Sequence, residues 1–138
     1  MYANEQDIID KYGAEALVIT ADHDGDGVAD PAVVARGLSD AGDEINTYIG
    51  SRYPLPLTYA PPILKPLCID IALYKMSVGI TVTDEKRLRY EDALKLLVKI
   101  AEGKITLGLP AVEQPVANDG IHISRATPVL TKDVLETY

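Results

Sequence analysis

The sequence contains no tryptophan, no phenylalanine, one cysteine and two histidines. With those two aromatics missing, ring volume must come from the eight tyrosines, whose hydroxyls need water or a hydrogen-bond partner when buried. They are therefore expected at the rim of a core or in an interface. A single cysteine excludes an intrachain disulfide. Cys68 lies in the apolar run Pro66-Leu67-Cys68-Ile69 and reads as a small buried hydrophobe in a reducing compartment. No apolar run approaches the roughly 20 residues a membrane-spanning helix needs. The opening Met1-Tyr2-Ala3-Asn4-Glu5 lacks the basic and apolar regions of a signal peptide, so no membrane contact is expected. Basic residues are also scarce, 13 against 21 acids for a net charge of −8. That balance opposes a sequence-independent grip on nucleic acid, which depends on Lys and Arg displacing phosphate counterions.

What is present suffices for one domain: 138 residues, 47% of them hydrophobic, support a single modest core. The charge is unevenly placed. Residues 1–50 hold eleven acids against Lys11 and Arg36, a net of −9, which leaves +1 on the remaining 88 residues. Such a gradient serves head-to-tail contact between copies, or simply a solvated acidic face.

Periodicity is helical. Asn4 with Asp7 three positions on forms a capping box for a first helix that Gly13 ends, and a short helical turn from Ala14 to Ile19 follows. Asp30-Pro31 is a helix start, an N-cap followed by proline at the first helical position. From there Val34, Leu38, Ala41, Ile45, Tyr48 and Ile49 share one stripe of a helix expected to run to about Tyr53, with Arg36, Asp40, Asp43 and Thr47 opposite. Pro54, Pro56, Pro61 and Pro62 impose a stiff extended connection. A third long helix, from Pro61 or Pro62 to about Ser77, is apolar nearly all round, as in a central buried helix. Asp70 on it is expected to face water, or to meet a Lys or Arg if buried. Gly79 breaks this helix. Thr83, with Asp84 and Glu85 in the first turn, opens a further helix with the stripe Leu88, Ala93, Leu94, Leu97, Ile100 and Ala101, ended by Gly103. Beyond it the helical period is lost, apart from a short terminal helix at Leu130 to Tyr138. The expected fold is all-α: a small bundle of about four helices over residues 1–103 with an extended, partner-ordered C-terminal arm over 104–138.

One motif stands out. Asp22, Asp24 and Asp26 occupy positions 1, 3 and 5 of a calcium loop, Gly27 the turn at 6, Val28 the backbone-carbonyl position 7, and Asp30 position 9. Position 12, which takes a bidentate Glu in an EF-hand, is Val33. The candidate metal ligands are thus Asp22, Asp24, Asp26, Val28 and Asp30, the candidate ion is Ca2+, and the competing use is a set of Asx-turns that cap the next helix without metal. No cofactor is required by anything else in the chain. Catalysis finds no support: His23 should point to solvent from the acidic loop, His122 and Ser124 lack an orienting third group and an oxyanion site, and Glu91 and Asp92 diverge on one helix beside Arg87, Lys95 and Lys99. No enzyme activity is expected.

Met1-Tyr2-Ala3, Tyr12-Gly13, the Asp22 to Gly27 loop leading into Pro31-Ala32-Val33-Val34, and Ile49-Gly50-Ser51-Arg52-Tyr53-Pro54-Leu55-Pro56-Leu57 form an ordered set. Together with Pro61-Pro62-Ile63-Leu64, Arg89-Tyr90-Glu91-Asp92-Ala93 and Gly103-Lys104, they make the chain resemble the small Mu-like prophage protein family encoded among virion head genes. The resemblance covers residues 1–108 well and the tail poorly, although Arg125 and the closing Leu135-Glu136-Thr137-Tyr138 fit the family's ending. It implies a head-tail connector or head-completion adaptor, a virion structural protein assembled in the host cytoplasm. Its implied partners are further copies of itself in a ring, the portal protein, a tail or second connector protein, and DNA that passes through without specific binding. The alternative from another class is a stand-alone calcium-dependent binding module using the Asp22 to Asp30 loop.

Overall fold

The computed structural model describes residues 2–78, 80 and 82–110. Five helices form among them and no strand: α1 Glu5–Tyr12, α2 Ala14–Ala21, α3 Pro31–Ile49, α4 Leu64–Ser77 and α5 Asp84–Ala101. The all-α expectation holds. The helix count rises because the turn expected after Gly13 is a complete two-turn helix. None of the described helices is long and apolar enough to cross a membrane.

The local signals work as their chemistry requires. Asn4 Oδ1 accepts the Asp7 N–H and Asp7 Oδ2 accepts the Asn4 N–H, both at 2.9 Å, so the capping box is complete. Gly13 then takes φ +95°, a conformation that costs glycine little, and turns the chain into α2. Thr83 Oγ1 accepts the Lys86 N–H at the start of α5.

Two helices are shorter than their periodicity suggested. α3 stops at Ile49: proline at 54 disfavours a helical Tyr53, and the N–H groups of Arg52 and Tyr53 both turn back to the Ile49 carbonyl. α4 starts at Leu64, after the prolines, with Leu64 and Lys65 donating to the carbonyls of Pro61 and Pro62 in tight turns. Pro66 consequently lies in its first turn, where its missing N–H is harmless. The helix ends at Ser77, and extended Val78 makes the break expected of Gly79, which lies outside the described residues.

α4 is the centre of the molecule. Leu67, Cys68, Ile69, Ile71, Ala72, Leu73 and Met76 are all buried, which spreads apolar contact around its whole circumference, and α1, α2, α3 and α5 pack on it. α3 approaches closest, through Gly37. A Cβ there would lie 2.6 Å from Met76 Cγ and 3.3 Å from the Ala72 carbonyl oxygen, so only glycine admits this crossing. The stripe of α5 is narrower than expected: Ala93, Leu97 and Ile100 are buried, but Leu88 is 54% exposed. Leu88 precedes Ala93 by five residues, about 140° round a helix of 3.6 residues per turn, and falls off the stripe.

Asp70 does not face water. Its Oδ1 accepts the Tyr12 hydroxyl at 2.5 Å and lies 3.5 Å from Lys11 Nζ, with the side chain only 16% exposed. Tyr12 in turn lies under the Arg89 guanidinium, 4.5 Å from the ring centroid, so one tyrosine ties α1 to α4 and α5. A second such tie uses Tyr90, stacked on Tyr74 with centroids 4.1 Å apart. Its hydroxyl donates to Glu44 Oε2 at 2.8 Å, and Glu44 Oε1 pairs with Lys75 at 2.8 Å, joining α3, α4 and α5. Burial and the Glu44 carboxylate push the Tyr90 hydroxyl up to about 12.

The first residues beyond α5 pack on the same body. Gly103, at φ +82°, lets the Arg52 guanidinium lie over it, where a Cβ would come within 2.8 Å. Leu107 is buried, and its N–H donates to the hydroxyl of buried Tyr53 at 3.0 Å. The rest of the expected arm, with His122, Ser124 and the Leu130 to Tyr138 helix, lies outside the described residues.

The α3–α4 crossing yields a test. Gly37→Val should destabilise the fold by about 2–3 kcal/mol by overpacking. A thermal melt should fall by well over ~5 °C, whereas an unchanged melt would show that the helices do not cross this closely.

Candidate functional site

The acidic loop joins α2 to α3, and its backbone is organised by its own carboxylates. Asp22 Oδ1 accepts the N–H groups of Gly25 at 2.8 Å and Asp26 at 3.1 Å, while Oδ2 accepts that of Gly27 at 2.8 Å. Asp24 Oδ1 accepts the Asp26 N–H, and Asp26 Oδ1 the Val28 N–H. These are nested Asx-turns. Gly25 and Gly27, at φ +78° and +83°, supply the left-handed bends.

Asp30 departs from the sequence expectation. As the residue before α3 it makes no side-chain cap; its Oδ2 instead accepts the His23 N–H at 3.0 Å and closes the loop on itself. The backbone closes too, with the Asp30 N–H donating to the Ala21 carbonyl at 3.0 Å. His23 does not simply point to solvent: its Nε2 lies 3.0 Å from the Met76 carbonyl oxygen and anchors the loop to the end of α4.

This arrangement draws the carboxylates together. Oxygens of Asp22, Asp24, Asp26 and Asp30 all lie within 4.8 Å of one another, the one such grouping of His, Cys, Asp or Glu among the described residues. Val28 is beside them, its side chain 62% exposed and its N–H taken by Asp26. Val33, which stands where an EF-hand has its last acid, packs partly buried against the core and offers no oxygen. The Gly27 N–H, with those of Gly25 and Asp26 and the neighbouring Asp24, holds the Asp22 carboxyl below its ordinary value. Asp24 behaves oppositely. The Asp26 N–H lowers it, but desolvation and the carboxylates of Asp22 and Asp26 outweigh that and raise it. Crowded carboxylates of this kind can converge on one hard cation, or share a proton when none is bound.

No second chemical centre is assembled among the described residues. Cys68 is buried, and burial pushes its thiol up to about 11, which keeps it protonated and inert. Glu91 and Asp92 are exposed, and Arg87 pairs with Asp84 instead. The polar groups that sequence reasoning missed are structural: Tyr12 with Asp70, and Tyr90 with Glu44 and Lys75. A lone acid on a helix otherwise apolar all round was the available signal for the first.

The fold and loop define a small all-α protein with one acidic loop and no catalytic grouping among its described residues. Residues 2–125 match the family described as Bacteriophage Mu, Gp36, and the chain belongs to that family. It is thus a Mu-like phage protein, as its ordered motifs led one to expect. Two relatives agree. The chain is 35% identical to the Mu-like prophage FluMu protein gp36 of Haemophilus influenzae over 119 residues, 86% of this chain and 84% of the relative. It is 28% identical to gene product J of Escherichia phage Mu over 134 residues, 95% and 94% of the two chains.

Because Asp22 holds three N–H groups at once, Asp22→Ala should speed amide hydrogen exchange at Gly25, Asp26 and Gly27 by about tenfold or more while leaving α4 and α5 protected. Equal exchange in the two proteins would show that the turns hold without it.

Proposed function

We propose that this protein is a non-enzymatic structural component of the phage virion, a head-tail connector or head-completion adaptor that forms a ring between portal and tail. The observation that carries the reading is the match to the phage Mu family over residues 2–125, with relatives aligned along most of both chains. The body supports it: a rigid helical unit organised around one buried helix can act by geometry and self-association. The negative balance supports passage of DNA without capture, because a wall poor in Lys and Arg gives phosphate little to bind. On this reading the protein assembles in the host cytoplasm and its partners are its own copies, the portal, and a tail or second connector protein.

The test is assembly. Purified chain mixed with purified portal should yield, by electron microscopy and mass measurement, a ring of added density on the tail-facing side. A chain that stays monomeric and never joins portal or tail preparations would overturn the reading.

The four carboxylates within 4.8 Å favour a second, compatible reading, in which the loop takes a calcium ion as a clasp between α2 and α3. With Val33 in place of the last acid the affinity would be weak, in the millimolar range known for sites of low ligand count. Titration calorimetry should show binding heat with calcium for the wild type and none for a variant combining Asp24→Asn and Asp26→Asn. No heat in the wild type at millimolar calcium would remove this reading, and the calcium-dependent module with it, and leave the connector untouched.

A further inference from the structure

Beyond α5 the chain stays on the body. Ile105, Leu107 and Leu109 pack on the core, while Thr106, Gly108 and Pro110 between and after them are exposed. A period of two is that of an extended segment laid along a surface. This strap follows the connection between α3 and α4 in chain order. Arg52 lies over Gly103, and the Tyr53 hydroxyl accepts the Leu107 N–H. Leu109 and Pro110 then meet Tyr53, Pro54, Leu57 and Thr58 around a cavity of about 100 Å³.

The next feature along that connection is open. A cleft of about 350 Å³ lies between the middle of α3, the connection and the N-terminal segment, lined by Tyr2, Leu38, Gly42, Asn46, Leu57 and Ala60. Leu57 borders both this cleft and the cavity at Pro110, so the described chain stops at its edge. The Tyr2 hydroxyl donates to Asn46 Oδ1, which leaves the Asn46 amide N–H groups without a partner among the described residues. Ser39 and Asp43, also on the lining, make no side-chain hydrogen bond there either.

Gly42 adds a second observation. Glycine is unfavourable inside a helix, and at Gly37 the crossing of α4 accounts for it. At Gly42 nothing described does: a Cβ there would meet no atom nearer than Tyr2 Cδ2 at 3.9 Å. The missing side chain leaves its space in the cleft, as at a backbone position that another group approaches closely.

The chain continues for 28 residues after Pro110. The first six, Ala111-Val112-Glu113-Gln114-Pro115-Val116, carry one charge and span up to about 20 Å when extended. We propose that this segment continues the strap and occupies the α3 cleft of its own chain. Ala111 takes the next inward position of the alternation, where a methyl group is small enough to lie over Gly42. Pro115 biases Gln114 toward the extended backbone that the strap already has. Asn46, Ser39 and Asp43 supply donors and acceptors, so the N–H and C=O groups that enter the cleft find partners. The strap thereby ties the end of α5 to the middle of α3 and to Tyr2, and the remaining 22 residues set out from the face of α3. The proposal does not depend on the ring reading.

Hydrogen exchange on the full-length chain tests it. Amides of residues 111–116 should exchange at least about tenfold more slowly than in a synthetic peptide of residues 109–120. Gly42→Leu, which fills the cleft, should remove that protection with unchanged circular dichroism. A second variant locates the segment: Ser39→Cys combined with Ala111→Cys should close a disulfide within one chain under mild oxidation, while buried Cys68 takes no part. Exchange at the peptide's rate, or protection that survives Gly42→Leu, overturns the proposal. Linkage only between chains would seat a neighbour's segment in the cleft, and no linkage would place the segment elsewhere; either result overturns it as well.

Discussion

A helix that is apolar around its whole circumference has no face to give to water, and α4 imposes that condition on the rest of the chain. Every other helix packs on it because each must cover one sector. Two charged side chains of α4 lie at the edge of this enclosure, Asp70 at 16% and Lys75 at 32% exposure, where a partner offsets the partial loss of water. Each is met by a neighbour: Asp70 by Tyr12 and Lys11 of α1, Lys75 by Glu44 of α3. Tyr90 of α5 then satisfies the remaining oxygen of Glu44. The polar pairs thus specify which helix covers which sector, something apolar contact alone leaves loose. With Phe and Trp absent, tyrosine performs both tasks, filling volume with its ring and pairing charge with its hydroxyl.

The elements most legible in the sequence were those whose ends are set locally. The Asn4–Asp7 box, Gly13, Thr83 and the α3 stripe depend on residues within a few positions of each other, and each takes its expected place. What could not be read depends on partners distant in the chain. Asp70 looked solvent-facing because nothing near it in sequence announces Tyr12, 58 residues away. Nothing near Gly37 in sequence marks it as a crossing point, because Met76, which packs against it, is distant in the chain. Leu88 satisfied apolar composition but not the angle that α4 leaves open. In the acidic loop the four Asp residues were identified as a cluster, yet the distribution of their oxygens among N–H groups is a property of the closed turn. Asp30 illustrates it: the residue is in the capping position, but its carboxylate serves His23.

That distribution bears on what the loop can do. Both oxygens of Asp22 already accept N–H groups, so the turn is held without a cation. The crowding that remains, visible in the raised Asp24 carboxyl, is a reservoir of repulsion that either a proton or a cation relieves. A cation would therefore strengthen a geometry already present rather than create it. This is the behaviour of a clasp between α2 and α3, not of a switch, which needs two different arrangements to choose between.

Family membership and surface chemistry constrain function from different directions. Membership places the chain in a phage setting but says nothing of which faces touch. The surface has no catalytic grouping among the described residues, and it leaves apolar side chains exposed on a rigid body. On the proposed ring reading the chain needs two unlike, complementary surfaces, because a contact that uses a single self-complementary patch stops at a dimer. The order of helices limits where such surfaces can be: the acidic loop enters α3 at Pro31 and the proline connection leaves it after Ile49, then folds back so that Leu57 and Ala60 lie beside Leu38 and Gly42.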